Sequence, residues 1–320
     1  MKRLSAVLLI VAMALWLAPT HAEAAKFPNK PVRLIIPYSP GGSHDAHARA
    51  FASVMEPYLG QPMLAVIRAG GGGSIGASFV ARARADGHTL ILGDQQSILV
   101  KPLLESLPYT SGSFVPVGRI NYSPLLITVK KDAPWKNLRD LIEDAKRRPG
   151  KISFGGVPGL GVDQIPMELL SLKAGIKLKF VPFQGGGPTW KAFLGGHIDI
   201  APAFASTVTP QLSKGAVRVL AITAPDRLPQ LPDLPTMKEQ GFDVQFAMFR
   251  TVFASRKTPA DILAKLRAAF DKGVKDKSFQ SMVKRMGERV IYMSGKNFES
   301  FMVQENANMK ALVDKLVKKK

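Results

Sequence analysis

Cysteine is absent from this 320-residue chain. Its absence excludes disulfide bonds, thiolate metal sites, a cysteine nucleophile and lipid modification of an N-terminal cysteine. A domain of this composition, 46% apolar and 21% charged, must therefore be stabilised by its hydrophobic core alone. The length and composition are sufficient for such a core in one large or two medium domains.

Histidine is also scarce, with five residues in the chain. His44 and His47 are close enough in sequence to place two metal ligands on one face of a helix. No third ligand of a suitable type accompanies them in the sequence. We therefore expect no metal site.

Acidic residues are few in comparison with basic ones: 24 Asp and Glu against 44 Lys and Arg, a formal net charge of +20. Such an excess favours acidic small ligands, an anionic membrane surface or nucleic acid as partners. The sequence contains no nucleic-acid-binding module, so we expect no nucleic-acid partner. Most of the basic side chains are interpreted as a solvated surface.

Long hydrophobic runs are confined to the N-terminus. Lys2 and Arg3 precede the apolar stretch "LSAVLLIVAMALWLAP", and small residues follow in "THAEAA". This order is typical of a secretory signal peptide, which we assign to residues 1–25, with an uncleaved anchor as the alternative. Because the apolar run is too short for a good membrane-spanning helix, we predict an exported, periplasmic protein from which the signal peptide is cleaved.

The rest of the chain alternates short β-branched runs with glycine-rich loops and helical segments. Predicted strands are "VRLIIP" (Val32–Pro37), "MLAVI" (Met63–Ile67) and "HTLILG" (His88–Gly93). Between the first two strands, apolar residues at helical spacing predict one helix that continues to Leu59. Strands and helices that alternate at these lengths indicate mostly parallel sheets covered by helices.

The same alternation recurs after residue 150, which predicts two lobes. Two long β-rich runs, Ser123–Lys131 and Phe246–Ser255, flank this second set and are interpreted as the crossings between lobes. We therefore predict an α/β fold in which lobe one comprises residues 26–123 and 247–320, and lobe two residues 124–246. The ligand cleft is expected between them.

The stretch "PYSPGGSHD" places Ser43, His44 and Asp45 side by side, the residue types of a hydrolase triad. A triad requires three side chains that converge on one point, whereas neighbours at a helix start project in different directions. A helix start explains the same residues, because Ser43 is a good N-cap and Asp45 suits the positive end of the helix dipole. The unpaired N–H groups of such an end can bind a carboxylate or a phosphate.

The loop "AGGGGSIG" matches two catalytic patterns. Its residues from Gly72 to Gly76 fit the nucleophile elbow G-x-S-x-G, but no acid and histidine are placed to complete a triad. The residues from Gly71 to Gly76 also fit G-x-G-x-x-G, and Asp94 stands where an acid for a ribose would lie. The motif follows the second strand of its lobe, not the first, and the chain is predicted to be exported. An exported dinucleotide-dependent oxidoreductase therefore stays as the alternative function.

Four stretches together resemble the Bug family, the extracytoplasmic solute-binding proteins of tripartite tricarboxylate transporters. They are "FPNKPVRLIIPYSPGGSHDAHARAFASVMEPYLGQPM", "GGGGSIGASFVARARADGHTLILG", "FVPFQGGGPTWKAFLGGHIDI" and "LAITAPDRLPQLPDLPTMKEQGF". The resemblance implies a two-lobed, type II-like clamshell of the periplasmic-binding-protein type, with no catalysis and no cofactor. It also implies a small organic carboxylate as ligand and membrane permease subunits as partners, and we expect a monomer.

In that family, loops of the cleft bind one carboxylate of the ligand through backbone groups and ordered waters. Carried onto this sequence, the ligand-binding positions of lobe one are Tyr38, Gly41, Gly42, Ser43, Asp45, Gly72, Gly73 and Ser74. Those of lobe two are Gly156, Val157, Gly159, Gly161, Gln184, Gly185, Gly186, Asp199 and Phe204. Most of them follow predicted strands, where open α/β sheets bind ligands.

The chain departs from the family pattern at several positions. Val66 and Ile67 stand where an acidic residue and Asn are common, His88 replaces a common Tyr, Val157 a common Ser, and Phe249 a common Trp. These departures leave the identity of the carboxylate open. A sensor module that presents its ligand to a membrane kinase would need the same clamshell, and the sequence does not distinguish it from a transport receptor.

Overall fold

The computed structural model describes residues 27–318, which form two β-sheets, each covered by helices. The predicted signal peptide, residues 1–25, lies outside the described residues. Within the described range, no helix combines the length and the apolar character that crossing a membrane requires.

The first sheet combines strands from both ends of the described chain. Its strands are β1 (Val32–Ile36), β2 (Met63–Ile67), β3 (Thr89–Gly93), β4 (Phe114–Pro124), β10 (Ala247–Ser255) and β11 (Met293–Ser294). Their order across the sheet is β11-β4-β10-β3-β1-β2. Strand β1 runs parallel to β2 and β3, whereas β10 is antiparallel to β3 and β4, and β11 is antiparallel to β4.

The second sheet is formed by the middle of the chain. Its strands are β5 (Leu126–Lys130), β6 (Ser153–Gly156), β7 (Lys179–Pro182), β8 (Ile200–Ala203) and β9 (Val217–Ile222), in the order β7-β6-β8-β5-β9. Strand β6 is parallel to β7 and β8, and β5 is antiparallel to β8 and β9.

Both sheets are therefore mixed, whereas the sequence pattern predicts mostly parallel ones. The difference comes from the crossing segments: β5 and β10 enter their sheets from the neighbouring sheet and run against the strands beside them. The α/β fold class itself is as predicted.

Helices pack on the sheets and begin mostly at the carboxyl ends of strands. Those of the first half are α1 (Ser43–Ala52), α2 (Glu56–Leu59), α3 (Ser74–Arg82), α4 (Lys101–Leu104), α5 (Leu138–Arg147) and α6 (Gln164–Ala174). Those of the second half are α7 (Gly186–Leu194), α8 (Ala205–Leu212), α9 (Ala260–Gly273), α10 (Lys277–Arg285) and α11 (Gly295–Val317). A π-helical turn at 95–100 and short 3₁₀ turns at 71–73 and 111–113 complete the set.

Alternation along β1 shows how the core forms on both faces of the first sheet. Val32, Leu34 and Ile36 enter one buried cluster, together with residues of α1, α9 and α10. Ile35 points to the opposite face and enters a second cluster with residues of α3 and α11. Because successive side chains of a strand point to opposite faces, this apolar run fits a strand that is covered on both sides.

The helix predicted to continue to Leu59 is instead interrupted after Ala52, and α2 begins at Glu56. Pro57 explains the interruption, because proline has no N–H group and its ring would clash with the carbonyl four residues earlier. Gly60 ends α2 in the left-handed conformation that glycine adopts without strain.

The two connections between the sheets are joined by hydrogen bonds at Thr223. Its hydroxyl accepts from the N–H of Leu125 at 2.9 Å and donates to the carbonyl of Phe246 at 2.6 Å. Its backbone N–H and carbonyl also bond to Leu125 and Phe246, respectively. Thr223, which directly follows β9, therefore links both crossing segments.

Candidate binding site

A small cavity of about 50 Å³ lies between the two sheets. The first sheet and its loops contribute, among others, Tyr38, Gly42, Ser43, His44, Asp94 and Gln96. The second sheet and its loops contribute, among others, Val157, Asp163, Gly186, Thr189, Trp190 and Phe204. Most of these residues follow the carboxyl ends of strands, which is the usual place for ligands in open α/β sheets.

Several helices begin at this cavity. Gly42, Gly185 and Phe204 are the N-caps of α1, α7 and α8, and none of the three forms a side-chain capping hydrogen bond. The first N–H groups of a helix have no intrahelical acceptor, and they form the positive end of the helix dipole. The arrangement therefore suits an anionic group such as a carboxylate.

Loops of the two sheets are in direct contact beside the cavity. The hydroxyl of Ser39 donates to the carbonyl of Gln184 at 3.0 Å, and Nε2 of Gln96 donates to the carbonyl of Pro158 at 3.0 Å. These bonds connect residues that the chain separates widely. The structure therefore shows the two sheets in a closed arrangement.

Close contact between the loops depends on glycine, as Gly187 and Gly42 illustrate. A Cβ atom on Gly187 would lie 2.2 Å from the carbonyl oxygen of Pro40, and one on Gly42 would lie 3.2 Å from the nitrogen of Gly187. The first distance is far inside van der Waals contact, whereas the second is merely tight. A larger residue at position 187 would therefore separate the loops without disturbing either sheet.

The cavity wall of the first sheet carries a buried aspartate. Both oxygens of Asp94 accept from the Tyr38 hydroxyl, at 2.9 and 2.8 Å, and Oδ1 also accepts from the N–H and the hydroxyl of Ser97. Nε2 of His44 lies 3.3 Å from Oδ2 of Asp94 without forming a hydrogen bond. Burial raises the pKa of Asp94 and lowers the pKa of His44 well below its usual value, so the imidazole is neutral.

The wall of the second sheet carries another buried aspartate. The two oxygens of Asp163 accept from the N–H of Val157 at 3.1 and 3.0 Å. The carboxyl group lies so close to Gly156 and Gly161 that a Cβ on either glycine would be 2.6 Å from one of its atoms. Burial raises the pKa of Asp163 to about 7, and the neighbouring charge of Asp94 adds to the increase. Asp163 therefore changes charge near neutral pH.

A buried ion pair lies beneath the start of α1. Nη1 of Arg250 is 2.9 Å from Oε2 of Glu288, and both side chains are almost completely buried. Burial alone would raise the pKa of Glu288, but Arg250 and His47 lower it well below its usual value. Arg250 also donates to the Ser43 hydroxyl and lies over the ring of Phe204, 4.6 Å from its centroid. The ion pair thus supports two residues of the cavity wall.

One group of the predicted ligand-binding residues lines the cavity itself: Tyr38, Gly42, Ser43, Val157, Gly186 and Phe204. A second group lies behind the lining and permits its close packing: Gly73 and Gly185 against Tyr38, and Gly156 and Gly161 against Asp163.

Other predicted residues of the first-sheet loops lie away from the lining. Asp45 accepts from the N–H of Gly41 at 3.0 Å and forms an ion pair with Arg49 on the same helix. Ser74 lines a separate surface groove beside α3. The carboxylate of Asp45 thus orders the first turn of α1, as predicted for an acidic residue at a helix start.

The remaining predicted residues lie where the loops meet or on the surface. Gly72 and Gly159 both lie against the side chain of Lys101. Gln184 contributes its carbonyl to the loop contact described above. Asp199 is exposed, and its carboxylate accepts from the backbone and the hydroxyl of the first residue of β6. The structure does not bring Asp199 to the cavity.

Several residues of the lining are not among the predicted carboxylate-binding residues: His44, Asp94, Gln96, Asp163, Thr189 and Trp190. Asp94 is predicted only as a possible acid for a ribose, whereas the structure shows it capping the turn at 95–100 and bonded to Tyr38. Asp163 could have been found from its place between a glycine loop and α6, where side chains face a cleft. Gln96 offers no such signal, because nothing in its sequence surroundings marks it.

A family model described as "Tripartite tricarboxylate transporter family receptor" matches residues 47–317. The chain belongs to this receptor family. Among curated relatives of this receptor, BugT of Bordetella pertussis is 30% identical over 311 residues, 95% of this chain and 94% of BugT. A protein from the tcbD-tcbE intergenic region of Pseudomonas sp. strain P51 is 31% identical over 284 residues, 87% of this chain and 84% of that protein.

Solved structures share the fold of this receptor. The periplasmic binding protein BugD is 30% identical, with a TM-score of 0.83 over 91% of this chain and 98% of BugD. MatC from Rhodopseudomonas palustris with bound malate is 27% identical, with a TM-score of 0.83 over 90% and 100% of the chains. An R. palustris protein with adipate is 28% identical, with a TM-score of 0.84 over 91% and 98%.

These comparisons confirm three predictions for the receptor: the resemblance to the Bug family, the periplasmic-binding-protein fold class and the absence of an enzymatic role. The family consists of receptors, and the neighbours are binding proteins. The alternative of a dinucleotide-dependent oxidoreductase is therefore wrong. The glycine motif that suggested it, Gly71 to Gly76, forms the 3₁₀ turn at 71–73 and the first residues of α3.

Proposed function

We propose that this receptor captures a small organic carboxylate in the periplasm and delivers it to a tripartite tricarboxylate-type membrane transporter. Family membership supports the transporter as partner. Malate and adipate in neighbouring structures support a carboxylate as ligand. In this proposal the receptor is a monomer that contacts the permease subunits.

Two lobes form the clamshell in this proposal. Lobe one comprises residues 26–123 and 247–320 and contains the first sheet, and lobe two comprises residues 124–246 and contains the second. The strand bounds support this division, because β4 ends at Pro124, β5 begins at Leu126 and β10 begins at Ala247.

The observation that carries the proposal is the convergence of helix N-termini from both lobes on one cavity. The starts of α1 in lobe one and of α7 in lobe two, both with a glycine as N-cap, supply N–H groups and positive potential. The helix α8 begins beside them, but the N–H of Ser206 in its first turn donates to Glu288 at 3.2 Å. A carboxylate bound there needs no arginine of its own. Water is largely excluded from a closed cleft, so that charge-assisted hydrogen bonds are stronger than in solution.

The carboxylate contacts in this proposal come from Gly42, Ser43 and Gly186 at the helix starts, with Tyr38 and Phe204 beside them. Val157 adds an apolar contact from lobe two. The glycines of the surrounding loops, from Gly41 to Gly185, permit the close approach of backbone to ligand. Ligand binding is thus expected to depend on closure of the lobes.

A substitution that blocks closure tests this function. Gly187→Ala places a Cβ 2.2 Å from the carbonyl of Pro40, so we expect the variant to fold but to lose carboxylate binding. Thermal unfolding with a panel of mono-, di- and tricarboxylates measures the effect. A ligand at one hundred times its dissociation constant stabilises the wild type by about 2.7 kcal/mol, and this stabilisation should disappear.

The matched control is Gly112→Ala, where the new Cβ would meet only the Thr110 hydroxyl, at 3.6 Å. It should retain the full stabilisation. Uptake of the same carboxylate by cells that lack the receptor gene should be restored by the control and not by Gly187→Ala. Restoration by both variants would contradict the proposal that closure delivers the ligand.

A further inference from the structure

The cavity wall contains a buried acceptor that no donor of the described protein satisfies. Oε1 of Gln96 has no hydrogen-bond partner, although the residue is completely buried and lines the cavity. Its orientation is determined by the other end of the amide, because Nε2 donates to the carbonyl of Pro158 at 3.0 Å and a carbonyl can only accept. The free oxygen of Gln96 therefore requires a donor from elsewhere.

This oxygen and the Asp163 carboxyl group converge on one place from opposite lobes. A Cβ built on Gly161 would lie 3.1 Å from Oε1 of Gln96 and 2.6 Å from Oδ1 of Asp163. The two oxygens thus lie close together beside Gly161, and both residues line the cavity. A single donor group with several N–H bonds is suited to a position between two such acceptors.

The charge of the cavity wall points to the same kind of donor. Within residues 27–318, neither Asp94 nor Asp163 forms an ion pair with a lysine or an arginine. Arg250 is paired with Glu288, Lys101 is paired with Glu105, and His44 is neutral because burial lowers its pKa. Two buried carboxylates in contact with no lysine or arginine are costly, although Arg250 acts on Asp94 from a longer distance. Tyr38 and Ser97 offset part of this cost through hydrogen bonds to Asp94.

We infer that the ligand is a small amino acid whose ammonium group lies between Gln96 and Asp163 and whose carboxylate lies at the helix N-termini. This inference rests on the proposed function and names the ligand class for the same site. The cavity volume of about 50 Å³ suits a compact molecule, since one water needs about 10–15 Å³ on this measure. The ammonium supplies the missing donor and compensates the negative charge of the wall.

Matched ligands that differ in one group test the inference. Calorimetric titration of the purified protein compares alanine with lactate and propionate, and aspartate with malate and succinate. The measurements are made well above the Asp163 pKa of about 7, so that the carboxylate is ionised. We expect the amino member of at least one set to bind about tenfold or more tightly than its hydroxyl and unsubstituted counterparts.

Asp163→Asn assigns the preference to this residue, because the amide oxygen of Asn can still accept from the Val157 N–H while the charge is removed. The variant should lose most of the preference for the amino member over the unsubstituted acid. Gln96→Leu removes the second acceptor and should lower the same preference independently. Asp199→Asn is the control, because that carboxylate is exposed and lies away from the cavity.

Equal or tighter binding of the unsubstituted acids by the wild type would overturn the inference and leave the proposed function intact. An amino-acid preference that survives both Asp163→Asn and Gln96→Leu would also overturn it. If no carboxylate of either kind binds, the inference and the proposed function both fail. Small molecules released from the purified protein by heat and identified by mass spectrometry give an independent check.

Discussion

Glu288 and Asp163 are two buried acids whose pKa values are shifted in opposite directions. Their exposed fractions are nearly equal, 4% for Glu288 and 6% for Asp163. Burial disfavours the charge of both, yet the pKa of Glu288 is lowered well below its usual value and that of Asp163 is raised to about 7. The difference is the contacting cation: Arg250 lies 2.9 Å from Glu288, whereas Asp163 has backbone donors.

Burial alone therefore does not determine the charge of an acid inside this protein. Backbone hydrogen bonds lower the pKa of Asp163 but do not offset the loss of water around it. The ion pair of Glu288 is complete within the described protein and serves structure. Asp163, in contrast, contacts no lysine or arginine of the described protein, and in our inference the ammonium group of a bound ligand supplies the cation.

The largest effect on stability is expected when Arg250, the cation that contacts Glu288, is removed. Arg250→Met leaves Glu288 buried without its partner, so we expect the free energy of unfolding to fall by about 3–5 kcal/mol. Urea-induced unfolding at neutral pH measures the change. The double variant Arg250→Met/Glu288→Leu should recover much of the loss, because it removes both charges. A single variant as stable as the wild type would show that the pair contributes nothing.

The stability of the folded protein is expected to depend on pH in opposite ways for the two acids. Asp163 has a folded pKa of about 7 against 3.8 in the unfolded chain, so the folded state binds the extra proton between these values. Its contribution to stability therefore falls as pH rises from about 4 to about 7, by at most about 1.4 kcal/mol per pH unit. Glu288, with a lowered pKa, contributes above its unfolded value of 4.5 and loses that contribution in acid.

The variant Asp163→Asn separates the pH dependence of Asp163 from that of Glu288. Asp163→Asn should abolish the decline between the two pKa values of Asp163 and keep the loss in acid. Chemical unfolding of ligand-free protein at several pH values gives the slopes. An unchanged decline in Asp163→Asn would assign it to other groups and remove the contrast with Glu288.

The smallest effect is expected for an acid that is not buried. Asp199→Asn neutralises an exposed carboxylate, and surface substitutions usually change stability by less than about 0.5 kcal/mol. Thermal unfolding should show a midpoint close to that of the wild type, with the same ligand stabilisation. A clear loss of binding in this variant would show that Asp199 belongs to the binding site, although the structure places it away from the cavity.

Local features of the fold could be predicted from the sequence because their causes are local. The β-branched run at Val32–Ile36 becomes β1, and the glycines that follow the strands become turns into helices. The interruption before α2 was also readable, because Pro57 excludes a continuous helix. The direction of β5 and β10 was not, since it depends on how the chain passes between the sheets.

The site was predictable in part for the same reason. Gly42, Ser43 and Gly186 lie at helix starts that local patterns identify, and they line the cavity. Gln96 and Asp163 come together only through the closure of two separate sheets. Their role depends on a charge balance that no spacing of residues in the sequence expresses.

The hydrogen bonds at Thr223 have a mechanical consequence. The crossing segments at Leu125 and Phe246 bond to the same residue, Thr223. In the proposed division all three residues belong to lobe two, so these bonds hold the two crossing segments side by side at one place, about which lobe one can rotate. Opening of the cavity is therefore expected to be close to a one-dimensional motion, in which the loops farthest from Thr223 travel the greatest distance.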